Sequence, residues 1–279
     1  MGGGAQSELP VPEPWRFWRS GAASGPRNMA IDAALLGRAR MADDAVWRCY
    51  GWSTPTISFG RNETTFGRFD PESVAAAGAE AVRRMTGGRA LFHTREVTYS
   101  VAFPLGERVA WRDAYDMVNR LLVAALRSLG VEADIVPHGA GSAIAPNGPL
   151  CFHLPSPGEV VVGNAKLAGS AVWRERGAFL QHGSILLHDD QARLIHAALT
   201  PLPLPPPAAA LSALLTPRAA ASRVAPNDDR WLVDAVETAL ESTLARDRRV
   251  TPFSADASFM ADVTRLDVQF RSPKWLWRR

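Results

Sequence analysis

The stretch LCFHLPSPGEVVVGNAKLAGSA, residues 150–171, holds one of the chain's two cysteines, Cys151, with Lys166 downstream of it. A thiol attacks as its thiolate, and free cysteine has a pKa of about 8.5, so a nucleophilic Cys151 needs a cation beside it. Lys166 supplies that cation if the chain folds it against the thiol. Pro155 and Pro157 put Cys151 in a loop, and loops on rigid scaffolds are where reactive groups tend to sit. The spacing alone is equally satisfied by an inert thiol and a surface lysine.

Two further segments hold groups capable of chemistry. RRMTGGRALFHTREVTYS, residues 83–100, sets Gly87 and Gly88 among Arg83, Arg84 and Arg89. Adjacent glycines allow a tight turn or close backbone approach to a ligand, and guanidinium groups suit phosphate or carboxylate. No Gly-Lys-Ser/Thr follows, which excludes a P-loop, and a strand rather than a helix follows, which excludes a Rossmann fingerprint. A hairpin with a basic rim is the plainer reading. AFLQHGSILL, residues 178–187, places Gln181, His182 and Ser184 in an apolar strand. Without a nucleophile elbow or an evident oriented acid, these read as buried hydrogen-bonding residues beside a pocket. His182 and His188 fit no standard metal spacing.

The elements that must position these groups follow from periodicity. Residues 26–44 read as a helix entered through Pro26, and 111–130 as a helix whose stripe runs through Trp111, Tyr115, Val118, Leu122, Ala125 and Leu129 up to Gly130. AVWRCYGW and TISFG read as two strands joined through STP in a hairpin-like pair, with Cys49 a small buried hydrophobe. Asp70, Pro71 and Glu72 open a helix over 70–81. VTYSVAFP, EADIV, EVVV, KLAGSAVW and FLQHGSILL are strands, and DDQARLIHAAL and DRWLVDAVETALESTLAR are helices. The resulting fold class is α+β, a mixed sheet with flanking helices. The expected layout is a disordered lead over 1–14, a catalytic domain over 15–200, a Pro/Ala-rich connector over 201–228 and a helical part over 229–279.

The totals set limits. A chain of 279 residues that is 47% hydrophobic and 21% charged has ample core for one main domain. Two cysteines make no disulfide framework, no secretory signal opens the chain, and no apolar run reaches the roughly 18 residues of a membrane span. A cytoplasmic protein is the expectation, without a membrane or nucleic-acid partner. The net charge of +3 favours an acidic protein partner or a nucleic acid alike, and no zinc-finger spacing or aromatic ribonucleoprotein motif supports the second.

Taken in order, NMAIDAALL, ISFGRNE, RRMTGGRALFHTREVTYSV, KLAGSA and LQHGSILL closely resemble the lipoate ligase A / biotin ligase catalytic-domain family over about residues 15–200. Within it, CF followed by PSPGEVVV and KLAGSA is similar to the cysteine-dependent octanoyltransferases. These move an octanoyl group from acyl carrier protein to a lysine of a lipoyl-domain protein, such as a glycine cleavage H protein or a dehydrogenase E2 subunit. The resemblance implies that Cys151 is the acyl-thioester nucleophile and that Lys166 lowers its pKa and contacts the acyl carbonyl. It implies that Arg84, Thr86, Gly87, Gly88 and His93 line the acyl pocket, with Gly169 and Ser170 beside them. No cofactor and no metal are implied. Ligases of the family commonly carry a third glycine and an Asp where this chain has Arg89 and Thr94, which favours transfer over ATP-dependent ligation. Amidotransfer between two lipoyl-domain proteins through the same cysteine is an alternative use of the same residues.

Overall fold

The computed structural model describes residues 11–106, 108–138, 155–216 and 228–277. Eight strands among them form one mixed sheet in the order β11-β1-β2-β6-β10-β9-β8-β7. They are β1 (Trp15–Ala23), β2 (Ala45–Trp52), β6 (Glu96–Pro104), β7 (Ala133–Ile135), β8 (Val160–Val162), β9 (Ala165–Glu175), β10 (Ala178–Leu186) and β11 (Val250–Pro252). β1 runs parallel to both β2 and β11, and the other pairings are antiparallel. A smaller sheet has β3 (Thr56–Phe59) between β4 (Glu80–Arg83), parallel to it, and β5 (Leu91–His93), antiparallel.

Strand alternation divides the large sheet into two faces. Trp47 and Cys49 of β2, with Val97, Tyr99, Val101 and Phe103 of β6, pack under α3 (Trp111–Ser128) and α5 (Arg230–Asp247). Val46 and Ala102 face the other way, under α1 (Gly25–Ala39) and α6 (Ala257–Arg271). The apolar stripe of α3 supplies Val118, Leu122 and Ala125 to the first core, and Gly130 follows the helix with a positive φ. The C-terminal segment closes on the rest through α5 against α3, α6 against α1, and β11 against β1.

Four local expectations need correction. β2 and β3 belong to different sheets, so STP is a crossing and not a hairpin turn. The helix opened by Asp70 is α2 (Pro71–Ala76), held by a capping box with Ser73; Gly78 takes a positive φ and the chain leaves as β4. The Gly-Gly segment joins β4 to β5 on opposite sides of β3, so it is no hairpin either. The segment after β10 is a 3-10 helix, Gln191–Ala197.

Gly60 shows how tightly that Gly-Gly turn is held. A Cβ there would lie 1.9 Å from the Gly88 carbonyl oxygen, while Arg61 N–H donates to the Thr86 carbonyl at 2.8 Å. Glycine at both places lets two backbones touch. Gly60→Ala is therefore expected to displace the turn at a cost of about 1–3 kcal/mol, the range for overpacking, measured by urea unfolding.

Candidate functional site

A cavity of about 440 Å³ opens where the Gly-Gly turn and β5 meet the β9–β10 side of the large sheet. That size falls among pockets of about 300–1,000 Å³ that hold small ligands. Its walls include Met29, Leu91, Trp111, Tyr115 and Val172, and its polar lining includes Lys166, Ser170, His93, His182 and Glu159.

β9 carries Lys166 into a buried position, its side chain 2% exposed, and Nζ donates to Glu159 Oε1 at 2.7 Å. Removing an ammonium from water costs several kcal/mol unless an opposite charge and hydrogen bonds replace the water. The second oxygen of Glu159 accepts from Ser156 N–H at 2.7 Å. One carboxylate thus holds both the lysine and the loop of Ser156 and Pro157, which also lines the cavity.

Arg84 staples the Gly-Gly turn. Its Nη1 donates to the Ser58 carbonyl at 2.7 Å and to Ser58 Oγ at 2.5 Å, and its Nη2 donates to the carbonyls of Gly87 and Arg89. Ser58 Oγ, already accepting from Arg84, donates to His93 Nε2 at 2.6 Å. His93 Nδ1 then carries the ring proton and donates to Glu96 Oε1 at 2.7 Å. Burial keeps His93 below its ordinary pKa against the pull of Glu96, so the ring is neutral at pH 7, stacked on Trp52 at 4.0 Å. Arg83, read from sequence as suited to an anion, instead donates to the carbonyls of Gly60, Glu63 and Leu276 and ties the small sheet to the C-terminus.

His182 is oriented by Thr86 of the Gly-Gly segment and by Asp32, which lies outside the three segments singled out above. Its Nδ1 meets Asp32 Oδ2 at 2.9 Å and its Nε2 meets Thr86 Oγ1 at 2.7 Å. Asp32 Oδ1 accepts from Arg48 Nη1 at 2.9 Å, with both side chains fully enclosed, and Arg48 Nη2 donates to Asn28 Oδ1. Burial alone would raise the Asp32 carboxyl; the His182 hydrogen bond and the Arg48 charge outweigh it and hold it below 3.8. The oriented acid that a hydroxyl–histidine–acid reading lacks in sequence is present, but Thr86 is 0% exposed and does not line the cavity. Its hydroxyl is hydrogen-bonded to His182 from behind the cavity wall.

The expected site residues therefore group as follows. Lys166, Arg84, Gly87, Gly88, His93, Gly169 and Ser170 all border the cavity, and Thr86 stands behind His182. Cys151 lies outside the described residues. Sequence reasoning missed Asp32, Arg48 and Glu159, charged residues at buried positions. Among the described residues no cluster of His, Cys, Asp or Glu is placed to hold a metal ion, and no helix is long and apolar enough to cross a membrane.

A family model, the lipoyl protein ligase A/B catalytic domain, matches residues 24–219. The chain belongs to that family. It is 41% identical to octanoyltransferase LipM of Kyrpidia tusciae over 188 residues, which is 64% of this chain and 68% of that protein. Octanoyltransferase LipM of Staphylococcus aureus is 29% identical over 96% of this chain and 99% of its own. An ATP-bound lipoate-protein ligase A superposes with a TM-score of 0.72 at 18% identity, covering 94% of this chain and 98% of that one, a likeness of fold. Within this family fold the Asp32–Arg48 pair joins α1 to β2 under the cavity.

Breaking that pair from one side leaves a buried carboxylate without its cation. Arg48→Met is expected to lower unfolding free energy by about 3–5 kcal/mol in urea titrations, far more than loss of a surface ion pair.

Proposed function

We propose that this protein is an octanoyltransferase of lipoate biosynthesis that carries the acyl group on Cys151 as a thioester. The donor is octanoyl-acyl carrier protein and the acceptor a lysine of a lipoyl-domain protein, such as a glycine cleavage H protein or a dehydrogenase E2 subunit. The observation that carries this reading is Lys166, buried at the cavity and paired with a glutamate that also grips the loop following Cys151. Ser156, five residues after Cys151, lines that cavity. The charge of Lys166 at this cavity suits a thiolate as the acyl carrier.

The chemistry closes without a nucleotide. The Cys151 thiolate attacks the donor's thioester carbonyl carbon, and the carbonyl π pair moves onto oxygen. Collapse of the tetrahedral adduct expels the donor's thiolate, which takes up a proton. The acceptor amine, neutral when it attacks, then forms the amide bond. Cys151 leaves as thiolate and the amine nitrogen gives up its proton. An amide is more stable than a thioester, so the second step runs downhill. The apolar walls give the eight-carbon chain its affinity at about 0.8 kcal/mol per buried methylene. The net charge of +3 suits an acidic carrier, speeding encounter.

Intact-mass measurement after incubation with octanoyl-carrier protein, with no ATP present, tests the reading. A gain of one octanoyl group, released by hydroxylamine and absent in Cys151→Ala, is the expected result. No adduct, with a lipoyl domain octanoylated only when ATP and free octanoate are supplied, would make the protein a ligase and overturn it.

A further inference from the structure

Beside the cavity, three neighbouring strands carry one row of residues. Tyr99 of β6 is opposite Gly183 of β10, and Gly183 is opposite Ser170 of β9. Gly183 has no side chain, and the Tyr99 phenol lies across it to meet Ser170 Oγ at 2.6 Å. A Cβ on Gly183 would fall 2.8 Å from the Tyr99 ring and 2.9 Å from its hydroxyl. The glycine is the gap through which a tyrosine reaches a serine two strands away.

The directions of the amide hydrogen bonds in this row follow from its far end. The Gly158 carbonyl can only accept, so the group 2.7 Å from it is the Asn119 amide nitrogen. Asn119 Oδ1 therefore accepts, at 2.8 Å, from Gln181 Nε2. The other hydrogen of Nε2 goes to the Tyr99 oxygen at 2.9 Å. Turning the Gln181 amide over would set its oxygen against Asn119 Oδ1. Tyr99, its phenol kept protonated by burial and its oxygen already accepting from Gln181, has its own hydrogen to give, and Ser170 Oγ at 2.6 Å is the acceptor to which it is assigned. Ser170 is left as an acceptor on one side with its own hydrogen uncommitted, and it borders the cavity.

On the reading of this cavity as an acyl-thioester site, we infer that Ser170 is a catalytic residue, donating its hydroxyl hydrogen to the thioester carbonyl oxygen, and that Tyr99, Gln181 and Asn119 are positioning residues that aim it. An octanoyl thioester offers a single acceptor along its acyl part, the carbonyl oxygen, and that oxygen gains charge as the thiolate adds. A donor whose direction is fixed before substrate arrives costs no reorganisation when the charge develops. The chain of bonds starts at Gly158, in the loop that Glu159 ties to Lys166. Seating of that loop and the aim of the Ser170 hydrogen are thus one arrangement.

The test uses the full-length protein acylated with octanoyl-carrier protein labelled with 13C at the carbonyl. Wild type, Ser170→Ala, Ser170→Thr and Tyr99→Phe are compared by single-turnover acylation and by difference infrared spectroscopy of the acyl-enzyme. A donated hydrogen bond lowers the carbonyl stretching frequency. In Ser170→Ala the band is expected to move to higher frequency and acylation to slow by about 10²-fold, the lower end for loss of one oxyanion donor, with KM for the donor little changed. Ser170→Thr, which keeps the hydroxyl, restores the band. Tyr99→Phe, which keeps Ser170 but frees it to turn, gives a broadened band and a smaller rate loss, and it reports even if Ser170→Ala folds poorly. An unchanged band and rate in Ser170→Ala would overturn the inference while leaving the acyl-enzyme in place. No acyl-enzyme in the wild type would instead remove the functional reading on which it rests.

Discussion

Burying Lys166 withdraws an ammonium from water, and Glu159 at 2.7 Å provides the compensating charge. That requirement shapes what surrounds it. The glutamate must sit at the start of β8, so the loop before it is drawn over the cavity, and its second oxygen fixes Ser156 there. The loop then presents the Gly158 carbonyl to Asn119 on α3, and the row through Gln181 and Tyr99 to Ser170 follows. One carboxylate thus binds the buried lysine and the loop together.

The opposite wall relies on buried polar groups of a different kind. Arg84 and Ser58 hold the Gly-Gly turn and set the proton on His93, while Arg48 and Asp32 set the orientation of His182. Each of these is enclosed, and each has its hydrogen bonds satisfied by named partners, as buried polar groups must. Such networks cost stability if cut at one point, and in exchange they admit a single arrangement of the cavity lining. The arginines of the turn serve the backbone first, through carbonyl acceptors.

Much of the fold was legible in the sequence. The stripe through Val118, Leu122 and Ala125 specified α3 because one face of that helix is buried, and apolar runs rich in strand-forming residues specified β6 and β10, which are buried along almost their whole length. The pairing of β3 was not legible. A four-residue strand buried along its whole length has no alternation to read, and its partners β4 and β5 are set by contacts far along the chain. The early stop of α2 was hidden because an alanine-rich run is compatible with continued helix. In the site, Lys166 stood out through its motif. Glu159 did not, since its pairing with Lys166 is set by how β8 and β9 meet and not by any local pattern. Asp32 and Arg48 become a buried pair only where α1 packs on β2, a contact no local pattern encodes. The Tyr99–Gly183–Ser170 row exists only in the register of three strands, which no local pattern encodes.

If Cys151 carries the acyl group as proposed, Lys166 is the cation that lowers its pKa. The pH dependence of the alkylation rate of Cys151 by iodoacetamide, in a Cys49→Ala background, measures the thiol's pKa directly. With Lys166 in place the rate is expected to titrate well below the free-cysteine value of about 8.5, and Lys166→Met is expected to return it to that value or above. A wild-type titration near 8.5 that Lys166→Met leaves unmoved would contradict the account.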